Sequence, residues 1–455
     1  MLKPLQLLAF LGVIILITLG MSWGIKVSEF NLLDVVEADF DLSQNVAIRI
    51  DSAEIDSLER SYNAKKDIKP QVVDYSKQSF SYDKVSEGLV MLDKNLFRRV
   101  KDKLNKKDRL PTTTRILYMG DSQIEGDYIA ASIRLSLQAK YGGKGPGLIA
   151  ADEYYSSEHR LAIAMSDNWQ QSKRMKIEVG NSSLLFRKAT LNPGRGKGIL
   201  NINRLKLMKT QEDYQQLRLF FISHGSSTIV LKEKNQPIRR FKILGSDKLQ
   251  AIRAELKHTP SNLSIEIESA GKFVLNGLSL DDRTGVYVDN IPLRGKAFPL
   301  FSISDSIAME KMCKSLKPDL FILQFGANIV SYATDKILKL YREETKKQID
   351  LIRKWCPKAE ILIVSVSDIA DKRNRKFISY PIIKDLKAIQ YEIAMQNNCA
   401  FWDLDYFIRQ HGGIVEWVNK SPRSYAQKDY LHFTKYGARI IGERLSELLE
   451  EEFSE

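Results

Sequence analysis

The chain predicts an α/β domain with a parallel sheet covered by helices on both faces. An all-β sandwich interrupts that domain, and an N-terminal transmembrane helix precedes it. Three observations carry this expectation. Downstream of residue 110, short apolar runs alternate with helical stretches on both sides of a central region, a pattern that builds parallel sheets. Within the central region, from about Met165 to Asp282, short β-like runs succeed one another with turn signals between them, as in a sandwich. At the start, no charged residue occurs from Leu5 to Ile25; roughly 20 apolar residues rise about 30 Å as a helix, enough to cross a bilayer.

Residues 1–26 are expected to be an uncleaved signal anchor. A cleaved signal peptide usually has a shorter apolar stretch and a small-x-small site, which Gly20-Met21-Ser22-Trp23-Gly24 matches poorly. Trp23 suits an interfacial position. Lys3 before the span and Lys26 after it leave only a slight orienting bias. Residues 27–110 read as a spacer. It includes a helix from about Glu87 to Lys106, where Leu89, Leu92, Leu96, Val100 and Leu104 recur at helical spacing.

The first α/β piece, 111–164, opens with a buried strand, Arg115 to Met119, ending at Gly120. A helix from about Tyr128 to Tyr141 follows. The glycine cluster Gly142 to Gly147 comes after a helix and lacks a G-K-[ST] sequence, so it reads as a turn and not a phosphate loop. The sandwich, 165–285, is expected to use Lys176–Val179, Ser183–Phe186, Leu217–Ile222, Thr228–Leu231, Leu263–Ile267 and Lys272–Leu275 as strands. The second α/β piece, 286–455, has strands at Asp319–Gln324, Glu360–Ser365 and Ala400–Leu404 and helices over about Asp335–Trp355 and Tyr380–Asn397. A last helix starts at a Thr434 N-cap and buries Ile440, Ile441, Leu445, Leu448 and Leu449.

With 455 residues, 44% apolar and 27% charged, the chain is long and apolar enough for several packed units. Its net charge of +13 favours anionic surfaces such as phospholipid or acidic glycan. No recognition motif accompanies the charge, so nucleic acid is not an expected partner. Cys313, Cys356 and Cys399 show no metal-ligand spacing. One disulfide fits an oxidising compartment, and the sequence does not choose its pair.

The chemistry lies in two distant stretches, Gly120-Asp121-Ser122-Gln123 and Asp429-Tyr430-Leu431-His432. A serine hydroxyl is a weak nucleophile until a base takes its proton. Of the five histidines, His159, His224, His258, His411 and His432, the candidate base is His432, which has a carboxylate, Asp429, three residues before it at a local spacing suited to hold Nδ1–H. A developing oxyanion needs fixed donors. The Ser122 N–H, the Gly295 N–H and the Asn328 side-chain amide are the candidates, Ser122 and Asn328 both lying just beyond strand ends. Taken singly, Asp429-x-x-His432 is also a helix-entry turn, Asn328 a cap and Gly295 an ordinary turn.

In order along the chain, Gly120-Asp121-Ser122, Gly295, Gly326-Ala327-Asn328 and Asp429-x-x-His432 resemble the four blocks of the SGNH (GDSL-like) hydrolases. The resemblance covers about Arg115 to His159 and Val286 to Leu449. It implies a flavodoxin-like three-layer domain, with Ser122 as nucleophile, His432 as base, Asp429 as the acid that orients it, and Ser122, Gly295 and Asn328 as oxyanion hole. It implies no metal and no organic cofactor. Gln123 stands where Leu or His is common, and Ile329 where Asp usually follows the block asparagine. The stretch Gly120 to Ile129, together with Arg134, Leu137-Gln138, Tyr141-Gly142-Gly143 and the β insertion, is similar to the peptidoglycan O-acetylesterases, where the insertion resembles a carbohydrate-binding module.

That resemblance implies a serine esterase acting on an acetylated envelope glycan; the N-terminal run adds the expectation that it is held to the membrane by one helix with its catalytic domain extracytoplasmic, in a periplasm. Two alternatives remain open. One is a glycan O-acetyltransferase working beside a membrane acyl exporter; the other is a glycan-binding envelope protein without catalysis.

Overall fold

The computed structural model describes residues 87–105, 113–151, 161–171, 183–204, 213–373 and 375–454. The expected anchor over 1–26 and most of the expected spacer lie outside these residues. Among the described residues no helix is long and apolar enough to cross a membrane.

The α/β part is built on five parallel strands: Thr113–Gly120, Gly285–Pro292, Leu320–Gln324, Glu360–Val364 and Ala400–Trp402. Numbered along the chain, their order across the sheet is 2-1-3-4-5, the flavodoxin-like order. Alternation at period two explains why each strand reads as a continuous apolar run. Ile116, Tyr118, Leu320, Ile322, Leu362 and Val364 point into one apolar layer. Leu117, Met119, Phe321, Leu323, Ile361 and Ile363 point into the other. The first layer packs against helices Tyr128–Tyr141 and Lys435–Phe453. The second packs against Ser306–Leu316, Asp335–Trp355 and Ile383–Gln396. Cys313, inside Ser306–Leu316, and Cys356, the C-cap of Asp335–Trp355, form a disulfide between two helices of that second layer, and Cys399 is a buried free thiol.

The sandwich has two antiparallel sheets, with Gln216–Ser223 and Phe273–Asp281 central in one and Asn262–Ser269 in the other. Leu217, Leu219, Phe221, Ile265, Ile267 and Leu275 fill the space between the sheets. Phe220 and Ile222, on the opposite face of the same strand, join Leu293, Met309 and Met312 of the α/β part. The insertion is therefore bonded to the α/β core by apolar burial, not merely tethered.

Three expectations differ from what is found, and one falls outside the described residues. The sandwich sheets begin before residue 165: Gly147–Ala150 pairs with Phe273–Asp281, and Leu161–Met165 pairs with Gly198–Arg204. The glycine-rich approach to Gly147 masked that short strand. Ser183–Phe186 is an irregular segment whose Leu184, Leu185 and Phe186 plug the layer between sandwich and α/β core, so its apolarity reflects burial without strand periodicity. The helix expected over Glu87–Lys106 is confined to Arg98–Asn105, because upstream Val90 bonds its backbone to Phe401 on the sheet edge (2.9 and 2.8 Å). The expected strand Lys176–Val179 lies outside the described residues. Beyond these, an unanticipated hairpin, Ala370–Arg373 and Lys376–Ser379, rises from the loop after the fourth core strand.

Candidate active site

Register alone brings three of the sequence blocks together. Gly120 at the end of the first core strand is level with Gln324 on one side and Pro292 on the other. Ser122, Asn328 and Gly295 thus leave adjacent carboxyl ends, at the switch point where open α/β sheets place their ligands. A side chain at Gly120 would come within 2.8 Å of the Gln324 carbonyl, so only glycine lets the two strand ends approach this closely. The turn that follows, Ser122–Ile124, is capped by Asp121, whose carboxylate accepts from the Gln123 N–H at 2.9 Å.

Ser122 is buried, and its Oγ lies 2.8 Å from His432 Nε2. His432 Nδ1 lies 2.7 Å from Asp429 Oδ2. An ionised carboxylate can only accept, so Nδ1 carries the proton and Nε2 is left to accept from the serine hydroxyl. The other Asp429 oxygen accepts from the backbone N–H groups of Leu431 and His432, each at 3.0 Å. Burial alone would push the Asp429 carboxyl up; hydrogen bonding to His432, the imidazole charge and those two N–H groups outweigh it and hold the carboxyl below its usual range.

Asn328 is buried and donates through Nδ2 to the Lys296 carbonyl at 3.0 Å, which ties it to the loop bearing Gly295. A primary amide has two N–H bonds, so one remains for a substrate oxygen. Gly295 has φ +75°, and a Cβ there would meet no atom within 4 Å; its backbone opens onto free space. The same loop is held to the serine turn by Leu293 N–H to Gly120 O (2.7 Å) and by Arg294 to Glu125 (3.2 Å).

The carboxylate partner does not by itself distinguish His432. His224 sits 2.6 Å from Asp247 and His258 sits 2.9 Å from Glu233, both on the sandwich surface and both from residues distant in sequence. His411 bonds to the Phe407 carbonyl at 2.8 Å, and His159 lies outside the described residues. What sets His432 apart is the serine hydroxyl on its second nitrogen.

Two buried residues go beyond the expected set. Gln123 donates Nε2 to the Leu431 carbonyl (2.9 Å) and to Ser367 Oγ (2.6 Å), and accepts from Gln324 at 3.3 Å. Gln324 in turn accepts from the Tyr118 hydroxyl. The sequence signal for Gln123 is a polar residue next to Ser122 where Leu or His is common. Asp121 is 1% exposed, and burial lifts its carboxyl to about 7 against the opposing Gln123 N–H, the His432 charge and the Ala327 N–H.

No family model matches the chain, and no curated protein matches it. Among solved structures, one described as "Peptidoglycan O-acetylesterase in action, 5 min" is similar at TM-score 0.64 and 19% identity, over 80% of this chain and 98% of that one. An acetyl xylan esterase, AlAXEase, is matched at TM-score 0.27 and 19% identity over 35% of this chain and 79% of that one. A family two carbohydrate esterase from Cellvibrio japonicus is matched at TM-score 0.24 and 11% identity, over 64% and 98%. The fold expected from the serine, glycine, asparagine and histidine blocks is the fold found, and the chain shares it with a peptidoglycan O-acetylesterase.

Proposed function

We propose that this chain is a serine esterase that removes O-acetyl groups from an envelope glycan, with peptidoglycan as its substrate. The observation that carries the reading is the unbroken run of short contacts from Asp429 through His432 to Ser122, at 2.7 and 2.8 Å. The fold shared with a peptidoglycan O-acetylesterase supports the choice of ester and glycan.

His432 Nε2 takes the proton of Ser122 as Oγ attacks the acetyl carbonyl carbon. Asp429 stabilises the imidazolium through Nδ1–H. The carbonyl oxygen, now negative, is received by the N–H groups of Ser122 and Gly295 and by the free N–H of Asn328. Collapse breaks the bond to the sugar oxygen, which leaves with the proton from Nε2. Water then gives its proton to Nε2 and attacks the acetyl-serine, and Ser122 and acetic acid are released. The proposed setting is extracytoplasmic, with the N-terminal span as anchor. The disulfide between Cys313 and Cys356 supports it, because such bonds persist in oxidising compartments.

The test is acetate release from O-acetylated peptidoglycan by the purified chain and by Ser122→Ala. Free acetate from the wild type and none from the variant is the expected result. Loss of acetyl groups only when an acceptor sugar is added, with no free acetate, would replace hydrolysis by transfer. Equal release from both proteins would remove Ser122 from the reaction.

A further inference from the structure

The hairpin Ala370–Arg373 and Lys376–Ser379 lies directly against the loop that carries His432. The Ala370 N–H donates to the Tyr430 carbonyl at 3.2 Å. The Phe377 ring stacks on the Tyr430 ring with centroids 3.6 Å apart and an interplanar angle of 15°. Tyr430 stands between Asp429 and His432 and has φ +58°, a left-handed conformation that a non-glycine residue keeps only when its surroundings hold it there. The hairpin supplies that hold.

The rest of the hairpin faces water. Lys372, Arg373, Arg375 and Lys376 are all exposed. None of them forms an ion pair with an acidic side chain among the described residues; Arg373 lies over the Tyr380 ring, 5.2 Å from its centroid. The only acid in the hairpin, Asp371, is already engaged by the Lys372 N–H at 2.7 Å and by Tyr380. By contrast Arg294, on the loop bearing Gly295, is matched by Glu125 at 3.2 Å. Four cations with no acidic ion-pair partner among the described residues, carried on a short projection, create a local positive field.

We infer that this hairpin docks the anionic part of the glycan chain that bears the ester, so that the substrate is an acidic polymer whose repeat carries carboxylates. The inference rests on the esterase reading for the identity of the ester, but not for the binding. A polyanion suits the hairpin better than a lipid surface does. Phe377 is committed to Tyr430, which leaves Ile378 as the one exposed large apolar side chain of the hairpin free to insert. Attachment to the His432 loop places the bound polymer beside the serine.

The test uses the full chain in detergent and the variant Lys372→Gln/Arg375→Gln/Lys376→Gln, which leaves every proposed catalytic group in place. Three substrates are compared: O-acetylated peptidoglycan with its stem-peptide carboxylates, neutral acetylated xylan, and 4-nitrophenyl acetate. The variant should lose roughly tenfold in kcat/KM on peptidoglycan at low salt, mostly through KM. It should stay within about twofold on the two neutral substrates, and the wild type's salt sensitivity on peptidoglycan should vanish. Equal effects on charged and neutral substrates would overturn the inference. Binding to de-O-acetylated sacculi, measured by sedimentation, reads the hairpin without any catalysis. Binding that weakens in the variant supports docking even if no esterase activity exists. Unchanged sacculus binding, with salt-sensitive binding found instead on phosphatidylglycerol–phosphatidylcholine vesicles, would reassign the hairpin to a membrane and overturn the inference.

Discussion

Gln123 donates its side-chain amide to the carbonyl of Leu431 at 2.9 Å, joining the residue after Ser122 to the residue before His432. The two belong to turns 308 positions apart in sequence. A second bond from the same nitrogen to Ser367 fixes the amide's orientation. The separation of Ser122 and His432 is thereby set by a buried cross-link, not by backbone alone.

Replacing that amide by an apolar group of similar size should loosen the pair. Gln123→Leu leaves the Leu431 carbonyl and Ser367 hydroxyl without this donor, at a cost of about 1–3 kcal/mol in stability. Misplacement of the base should lower kcat by about 10- to 100-fold with KM little changed. Steady-state kinetics on 4-nitrophenyl acetate, with thermal unfolding in parallel, checks both. A loss that disappears when assays are run well below the variant's Tm would assign Gln123 to stability only.

Asp429 lies 2.7 Å from His432 Nδ1; in the proposed reaction it orients the ring, so Asp429→Asn should cut kcat by roughly three to four orders of magnitude while the protein stays folded. The pH dependence follows from the depressed carboxyl. A lowered folded-state pKa means a contribution to stability that is present above the unfolded value and is lost as pH falls through the folded value. The gap in Tm between wild type and Asp429→Asn should therefore be constant near neutrality and close in acid. A gap that widens on acidification would contradict the assignment.

Asp121 has the opposite sign. Its carboxyl is lifted to about 7 by burial, so the folded state holds a proton that the unfolded chain releases at lower pH. The cost of the buried charge grows between the usual carboxylate range and about 7, then levels off. Asp121→Asn keeps an acceptor for the Gln123 N–H and places an amide where Oδ2 has no partner. The variant should gain Tm relative to wild type by several degrees as pH rises through that window. A difference independent of pH would count against a titrating Asp121.

The disulfide closes a sequence separation of 43 residues between two helices of one layer. Cys313→Ser/Cys356→Ser should lose about 2–4 kcal/mol in chemical denaturation. Burial pushes the Cys399 thiol up to about 12, so maleimide should label it only after unfolding. Labelling of Cys399 in the native protein at neutral pH would refute its burial.

The α/β framework was legible because its strands are buried on both faces and read as unbroken apolar runs: Arg115 to Met119 and Asp319 to Gln324 announce themselves. The helix Asp335–Trp355 runs between the ends expected of it, and Thr334 caps its start. The sandwich edges were harder. Gln236–Ile243 is a largely exposed edge strand with no apolar alternation to betray it, and Ser183–Phe186 is apolar for reasons of burial alone. In the site, Ser122, Asp429 and His432 could be named because each block is local. Gln123 could not, because its three partners come from three other parts of the chain. The hairpin cations were visible only as net charge until the fold set them beside Tyr430.

The central claim is that His432 activates Ser122. A fluorophosphonate probe followed by peptide mass mapping tests it most directly. The account predicts one modified residue, Ser122, with modification slowed by orders of magnitude in His432→Ala. An unmodified Ser122 in the folded wild type, or equal labelling with and without the imidazole, would contradict it.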